Sequence, residues 1–388
     1  MNERNPKSKI LLGPGPSNTD PRVLRALSEP TIGHLDPDFV EIMDETTELL
    51  RYVFQTKNEL TIPISGTGSA GMETAMVNSL EHGDKAIICV AGIFGERMVD
   101  VAERAGAVVV RVDAPWGRIV DPQDVKKAVE ENPDAKIVGI VHAETSTGVL
   151  QPLEEIVHIA HENGMRIVVD AVTSLGGVKV PVDELDLDFV YSGTQKCLSC
   201  PPGLAPVTVG QKGVDFIRNR KTKCQSWYLD LSMISRYWGG ERFYHHTAPI
   251  NMIYAFNEAL RIIKEEGLSA RWARHELNQK ALIAGLEAMG MKLVVEPKYR
   301  LPSLTTVYLP DGADDAEVRG RLLEDFDIEI GAGLGVFKGK IWRIGLMGTN
   351  STRRNVITFL GALEDILVSQ GAKISAGVAL DAASSVYR

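Results

Sequence analysis

Met165-Arg166-Ile167-Val168-Val169-Asp170 and Leu187-Asp188-Phe189-Val190-Tyr191-Ser192-Gly193-Thr194-Gln195-Lys196 are two short apolar runs, each ending in a polar turn. Runs that are apolar throughout read as strands covered on both faces, because a half-exposed strand would alternate. The strand pattern recurs, giving expected strands over 60–64, 85–90, 107–112, 136–142, 166–169, 189–191 and 205–209. Helical patterns lie between them. Asp121-Pro122 offers an N-cap followed by proline at the first helical position, and Pro152-Leu153-Glu154-Glu155 is acid-rich in its first turn. This alternation predicts an α/β fold: a mostly parallel seven-stranded sheet between helices.

Outward from that core the chain changes character twice. Gly13-Pro14-Gly15-Pro16-Ser17-Asn18 cannot be helical, so residues 1–20 read as an extended arm leading into a large domain over 21–265. Beyond Glu266-Gly267, helical patterns at 269–290, 315–326 and 351–369 flank expected strands at 292–295, 304–309 and 340–346. That is a smaller α+β domain over 266–370. An alanine- and serine-rich tail follows over 371–388, with no role legible in it.

Composition narrows the function classes. The 388 residues carry a net charge of −9, with 44% hydrophobic and 24% charged residues, as in ordinary globular proteins. No basic surplus exists to neutralise phosphates, which argues against nucleic acid as a partner. No run of about 18 apolar residues is present, so no membrane span is expected. Met1-Asn2-Glu3-Arg4-Asn5-Pro6-Lys7 lacks a signal's apolar core, and Ser385-Val386-Tyr387-Arg388 is not a peroxisomal address. Cytoplasm is the expected compartment. Four cysteines are too few for a disulfide framework; Cys197 and Cys200 form a C-x-x-C without a second pair, so no metal is expected.

Ligands of open α/β sheets gather at the strands' carboxyl ends, and five turns there, together with one arginine in the smaller domain, carry chemistry. Ser65-Gly66-Thr67-Gly68-Ser69-Ala70-Gly71 opens a helix expected over 72–81, either a phosphate cradle or simply a tight glycine turn. Val141-His142-Ala143-Glu144-Thr145-Ser146-Thr147-Gly148 is hydroxyl-rich and suits either a ring oxygen or a helix cap. Phe94, between glycines, is a candidate ring platform or a core residue. Arg343, inside the apolar run Trp342-Arg343-Ile344, matches a carboxylate bidentately, unless it pairs with an acid such as Glu329. Asp170 and Lys196 are the remaining two. A lysine that holds an aldehyde as a Schiff base and an acid that keeps a ring nitrogen protonated are what pyridoxal phosphate requires.

The ordered set of fragments resembles the alanine–glyoxylate / serine–pyruvate aminotransferases, in the class V branch of the fold-type-I pyridoxal-phosphate enzymes. The pieces are LLGPGPSN at 11–18, GHLDP at 33–37, FQTKN at 54–58, SGTGSAGME at 65–73, HAETSTGVLQP at 142–152, VDAVTSLGG at 169–177, SGTQK at 192–196, YHHTAP at 244–249 and WRIGLMG at 342–348. The resemblance implies that Lys196 carries the cofactor and Asp170 pairs with its ring nitrogen. It implies that Thr67, Gly68, Ser69 and Gln195 bind the phosphate, and that Tyr244 and Thr247 reach the phosphate of the partner subunit in a homodimer. Thr145 would lie near the ring hydroxyl, and Phe94 would stand where the family often has Trp. Arg343 would hold the substrate carboxylate, with His34 beside the substrate.

Those roles imply ping-pong transfer of an amino group from alanine or serine to glyoxylate or pyruvate. GTQKCLS at 193–199 and the tail near 376–387 also look like ureidoglycine–glyoxylate aminotransferases. Such enzymes tend to carry Gln and Asn where His34 and Tyr244 stand. A cysteine desulfurase-like lyase using Cys197 or Cys200 is a remoter alternative. A nicotinamide dehydrogenase lacks its G-x-G-x-x-G here.

Overall fold

The computed structural model describes residues 6–388. Of the arm expected over 1–20, residues 1–5 lie outside the described residues. The chain opens with β1 (Ile10–Leu12), α1 (Pro21–Leu27) and α2 (Pro37–Phe54), then alternates: β2 (Leu60–Ser65), α3 (Gly68–Ser79), β3 (Lys85–Val90), α4 (Ile93–Arg104), β4 (Val108–Asp113), α5 (Pro122–Glu131) and β5 (Ile137–Val141). A small hairpin, β6 (Ala143–Glu144) and β7 (Val149–Leu150), precedes α6 (Glu154–Glu162), β8 (Arg166–Asp170), β9 (Phe189–Tyr191) and β10 (Leu204–Val209). Then come α7 (Gln211–Arg218), α8 (Leu231–Trp238), α9 (Ile250–Glu266), α10 (Leu268–Ala288), β11 (Leu304–Tyr308), α11 (Asp315–Phe326), β12 (Ile328–Ala332), β13 (Ile341–Gly345), α12 (Arg353–Ser369) and α13 (Val378–Val386).

Seven strands form the main sheet in the order β2-β10-β9-β8-β5-β3-β4, and β10 alone runs against its neighbours. All five residues of β5 are buried, as a strand covered by helices on both faces requires. Helix starts follow local chemistry. Asp121 accepts the N–H of Gln123 at 2.9 Å with Pro122 at the first helical position, and Asp36 does the same for Asp38 ahead of Pro37.

The second sheet has the order β1-β12-β13-β11. Two of its strands depart from expectation. Residues 292–295 make only the bridge Leu293 to Val307 before the chain turns away at Pro297. The strand in its place is β12, where Ile328 and Ile330 face inward and Glu329 outward. Gly331 blurred that pattern in the sequence, and its reason is tertiary: a Cβ there would meet the Pro14 ring at 2.5 Å. β1 pairs in parallel with β12, so the N-terminal arm is a strand of the distal sheet. The tail forms α13, which packs Ala379 and Ala383 against α10 and α12.

The hydrophobic interior has two main parts. One gathers buried residues from Val23 to Leu268, and the other gathers Leu12 with residues from Ala281 to Ala383. Trp342 anchors the second; it is fully buried, and its indole N–H donates to Asp315 Oδ1 at 2.9 Å. Burying a side chain of that size contributes upwards of about 3 kcal/mol, enough to hold β13 and its Arg343 in register.

Candidate active site

Strand direction decides what meets what. β3, β5, β8 and β9 run parallel, and β2 shares their direction because the antiparallel β10 lies between it and β9. The turns after β2, β3, β5, β8 and β9 therefore open at one edge of the sheet. They carry Thr67 to Ser69, Phe94, Thr145, Asp170 and Lys196. Asp170 sits opposite both Val141 and Tyr191 in the ladder.

Asp170 is buried. Its Oδ1 accepts the Val172 N–H at 2.8 Å and its Oδ2 accepts the Tyr191 hydroxyl at 2.9 Å. Both donors are neutral, and burial outweighs them, pushing the carboxyl up to about 6. Lys196 is 9% exposed, and burial followed by the nearby Arg343 guanidinium holds its amine down to about 8. Its Nζ donates to the Pro14 carbonyl. Arg343 is buried too. Its Nε donates to Ala332 O at 2.7 Å and its Nη1 to Thr145 O at 3.2 Å, while Glu329 is exposed and unpaired with it. The guanidinium thus keeps donors free for a carboxylate, and burial lowers its pKa to about 10.

α3 begins four residues earlier than expected, at Gly68. A Cβ at Gly68 would meet Val172 Cγ2 at 3.2 Å, so the cradle turn packs directly on the Asp170 turn. Thr67 caps that helix without using its hydroxyl, and the first-turn N–H groups of Gly68 and Ser69 have no intrahelical acceptor. The Gln195 side-chain amide lies beside Gly193 with its buried Oε1 unpartnered.

Three participants were missed in the sequence. Glu144, buried, accepts from the N–H of Phe94 at 3.1 Å and from the Ser146 N–H and hydroxyl at 3.0 and 2.6 Å. It thereby fixes the start of α4, where Phe94 lies, and burial pushes its carboxyl up to about 6. Arg97 stacks on the Phe94 ring at 4.9 Å. Tyr191 holds Asp170, and only its position just before SGTQK hinted at it. Tyr244 and Thr247, by contrast, are exposed and meet only each other by hydrogen bond, at 3.4 Å among the described residues. The Tyr244 ring rests on His34 with centroids 5.0 Å apart, and His246 ties this segment to Ser65 at the end of β2 at 2.9 Å.

The sequence profile of the family described as Aminotransferase class-V matches residues 10–359. The chain belongs to the class V aminotransferases. An alanine–glyoxylate aminotransferase from Nostoc sp. superposes with a TM-score of 0.93 at 48% identity over 95% of this chain and 97% of that one. A ureidoglycine–glyoxylate aminotransferase from Bacillus subtilis superposes at 0.97 with 42% identity over 100% of both. An alanine–glyoxylate aminotransferase from Callithrix jacchus is 40% identical over 93% of this chain and 88% of its own length.

This aminotransferase is a pyridoxal-phosphate enzyme, and its residues fit that group. A buried carboxylate with only neutral partners suits a cationic ring nitrogen, and a lysine held near 8 is partly neutral and nucleophilic at physiological pH. The free first turn of α3, whose Gly68 and Ser69 N–H groups have no intrahelical acceptor, suits a phosphate. Desulfurase chemistry fits poorly. Cys197 and Cys200 are buried, and burial pushes both thiols up, away from the thiolate that accepts sulfur.

The buried charges make stability depend on pH in the cofactor-free aminotransferase. Asp170 and Glu144 rise from ordinary values of 3.8 and 4.5 to about 6, so across that window the folded chain binds more protons than the unfolded one. Their contribution is greatest below the window and falls as pH rises through it. Lys196 acts oppositely: lowered from 10.5 to about 8, it adds stability as pH rises between those values. Urea midpoints of wild type and Asp170→Asn should diverge between about pH 4 and 6, wild type losing ground as pH rises. Parallel curves would contradict the burial argument. No helix among the described residues is long and apolar enough to cross a membrane.

Proposed function

We propose that the enzyme moves the amino group of alanine or serine to glyoxylate or pyruvate, alternating between its two cofactor forms in a ping-pong cycle. The observation that carries this reading is Arg343, a buried cation with no carboxylate partner among the described residues, close enough to Lys196 for its charge to help hold that amine's pKa down. Amino acid and oxo acid share one feature, a carboxylate, and one such clamp serves both half-reactions. His34 and Tyr244, in tilted contact with ring centroids 5.0 Å apart, stand where ureidoglycine–glyoxylate aminotransferases tend to carry Gln and Asn, which favours alanine or serine as donor.

When bound, pyridoxal phosphate supplies an electron sink next to the substrate α-carbon. Lys196 Nζ would hold the cofactor covalently and, when not so joined, would move the substrate α-proton. Asp170 holds the proton on the ring nitrogen, and Arg343 orients the carboxylate. Thr67, Gly68, Ser69 and Gln195 would hold the phosphate, Thr145 would serve the ring oxygen, and Phe94 would back the ring. Tyr244 and Thr247 serve the second copy's phosphate in a homodimer. The solvent-facing ring of Tyr244, beside exposed Phe243 and Trp227, supports that assembly. A monomer-sized mass in sedimentation would contradict it.

Arg343→Lys should raise KM for donor and acceptor alike, by about 10- to 100-fold, since a point charge replaces a two-pronged clamp. If only one of the two substrates suffered, a shared clamp would be the wrong picture. The donor is identified by adding alanine, serine or ureidoglycine to purified enzyme and following loss of the cofactor's visible absorbance. The reading requires alanine or serine to bleach it fastest. A second reading, ureidoglycine as donor, draws on the Bacillus relative, which matches along both whole chains. Faster bleaching by ureidoglycine would decide for it.

A further inference from the structure

Between β1 and α1 the chain crosses from the distal sheet straight onto the lysine. At the near end of this strap, the Ser17 N–H donates to Gln195 O at 2.8 Å and the buried Ser17 hydroxyl to Lys196 O at 2.9 Å. At the far end of the same side chain, Lys196 Nζ donates to Pro14 O. Gly15, with φ of +104°, runs alongside: a Cβ there would lie 2.5 Å from Nζ, 2.6 Å from Cδ and 2.9 Å from Cε. Behind the strap, the Thr349 hydroxyl donates to Asn18 O at 2.7 Å and the Asn350 amide to Leu11 O at 2.5 Å, so the lobe bearing Arg343 braces it.

We infer that Pro14 to Ser17 form a positioning element for Lys196: Ser17 fixes the lysine's main chain, and the Pro14 carbonyl docks its amine whenever the amine is not joined to the cofactor. This rests on the proposed role of Lys196 as proton carrier. The amine gains one proton from the substrate α-carbon and gives up one proton later in the same half-reaction, so no co-reactant is consumed. A main-chain carbonyl suits such a traveller. It does not titrate, and both amine and ammonium retain an N–H to donate to it.

Two variants test the strap. Gly15→Ala displaces the lysine stem and should lower kcat for alanine about 100-fold, the cost of roughly an ångström of misplacement. Ser17→Ala removes one tether and should lower it about tenfold, should the first variant not fold. In both, KM should stay near the wild-type value and the isotope effect on kcat with α-deuterated alanine should increase, because proton transfer alone is slowed. In cofactor-stripped protein, trace acetic anhydride should modify Lys196 several-fold faster than in wild type, measured against exposed Lys126 by peptide mapping. The inference needs both signatures. An unchanged isotope effect, unchanged labelling, or a loss carried by KM alone overturns it. Wild type that fails to transaminate alanine or serine would refute the proposed function instead, and the labelling comparison would still judge the strap.

Discussion

Lys196→Ala is expected to abolish transamination, with a loss of at least about 10³-fold, and to leave no borohydride-stable pyridoxyl group on the protein. The argument is local and physical. The amine is nearly buried, lies beside Arg343, and has its pKa pulled down to about 8, so a useful share is neutral and able to attack an aldehyde near neutral pH. Alanine supplies neither nucleophile nor proton carrier, and both functions fail together. The phosphate turn at Thr67 to Ser69 and the carboxylate of Asp170 remain, so the variant should still hold cofactor without a covalent bond. Its circular dichroism should match wild type, since the hydrogen bonds of Ser17 go to the main chain at 195 and 196, which the substitution keeps. Turnover by this variant, or a pyridoxyl label mapped to another lysine, would refute the assignment.

Asp170→Asn should retain the cofactor yet lower kcat by about 10²- to 10³-fold, the scale on which a fixed electrostatic partner of developing charge acts. The substitution is nearly isosteric. Oδ1 can still accept the Val172 N–H, and the Tyr191 hydroxyl can rotate to accept from the new amide. What disappears is the charge. A carboxylate buried among neutral donors stays ionised at neutral pH only at a cost, and a ring N–H⁺ opposite it offsets that cost; an amide makes no such demand. The ring nitrogen then loses its proton more easily, and the sink for α-carbon charge weakens. Half-reaction rates with alanine, followed by absorbance, measure this directly. Equal rates in variant and wild type would remove Asp170 from the ring-nitrogen role.

Much of the scaffold was legible because its signals are local. Seven apolar runs, the Asp-Pro helix start and the polar turns after each strand report backbone preference and burial within a few residues. The main sheet formed from those runs with boundary shifts of a residue or two. The distal sheet was harder. β12 is interrupted by glycine, and its glycine is explained only by the proline ring of an arm some three hundred residues earlier. Residues 292–295 carry a strand's composition but reach β11 through a single bridge.

The site divides in the same way. From the residues alone came the α/β alternation and the short roll of side chains at strand ends, Asp170 and Lys196 foremost, since turn chemistry and periodicity are written in neighbouring positions. Tertiary structure alone decided that Arg343 has no acidic partner among the described residues, that Glu144 fixes the helix bearing Phe94, and that Pro14 and Ser17 hold the Lys196 segment from both ends. These are contacts between residues far apart in the chain. Their energies depend on burial and on which donors remain unpaired after packing, and no local pattern of residues encodes either.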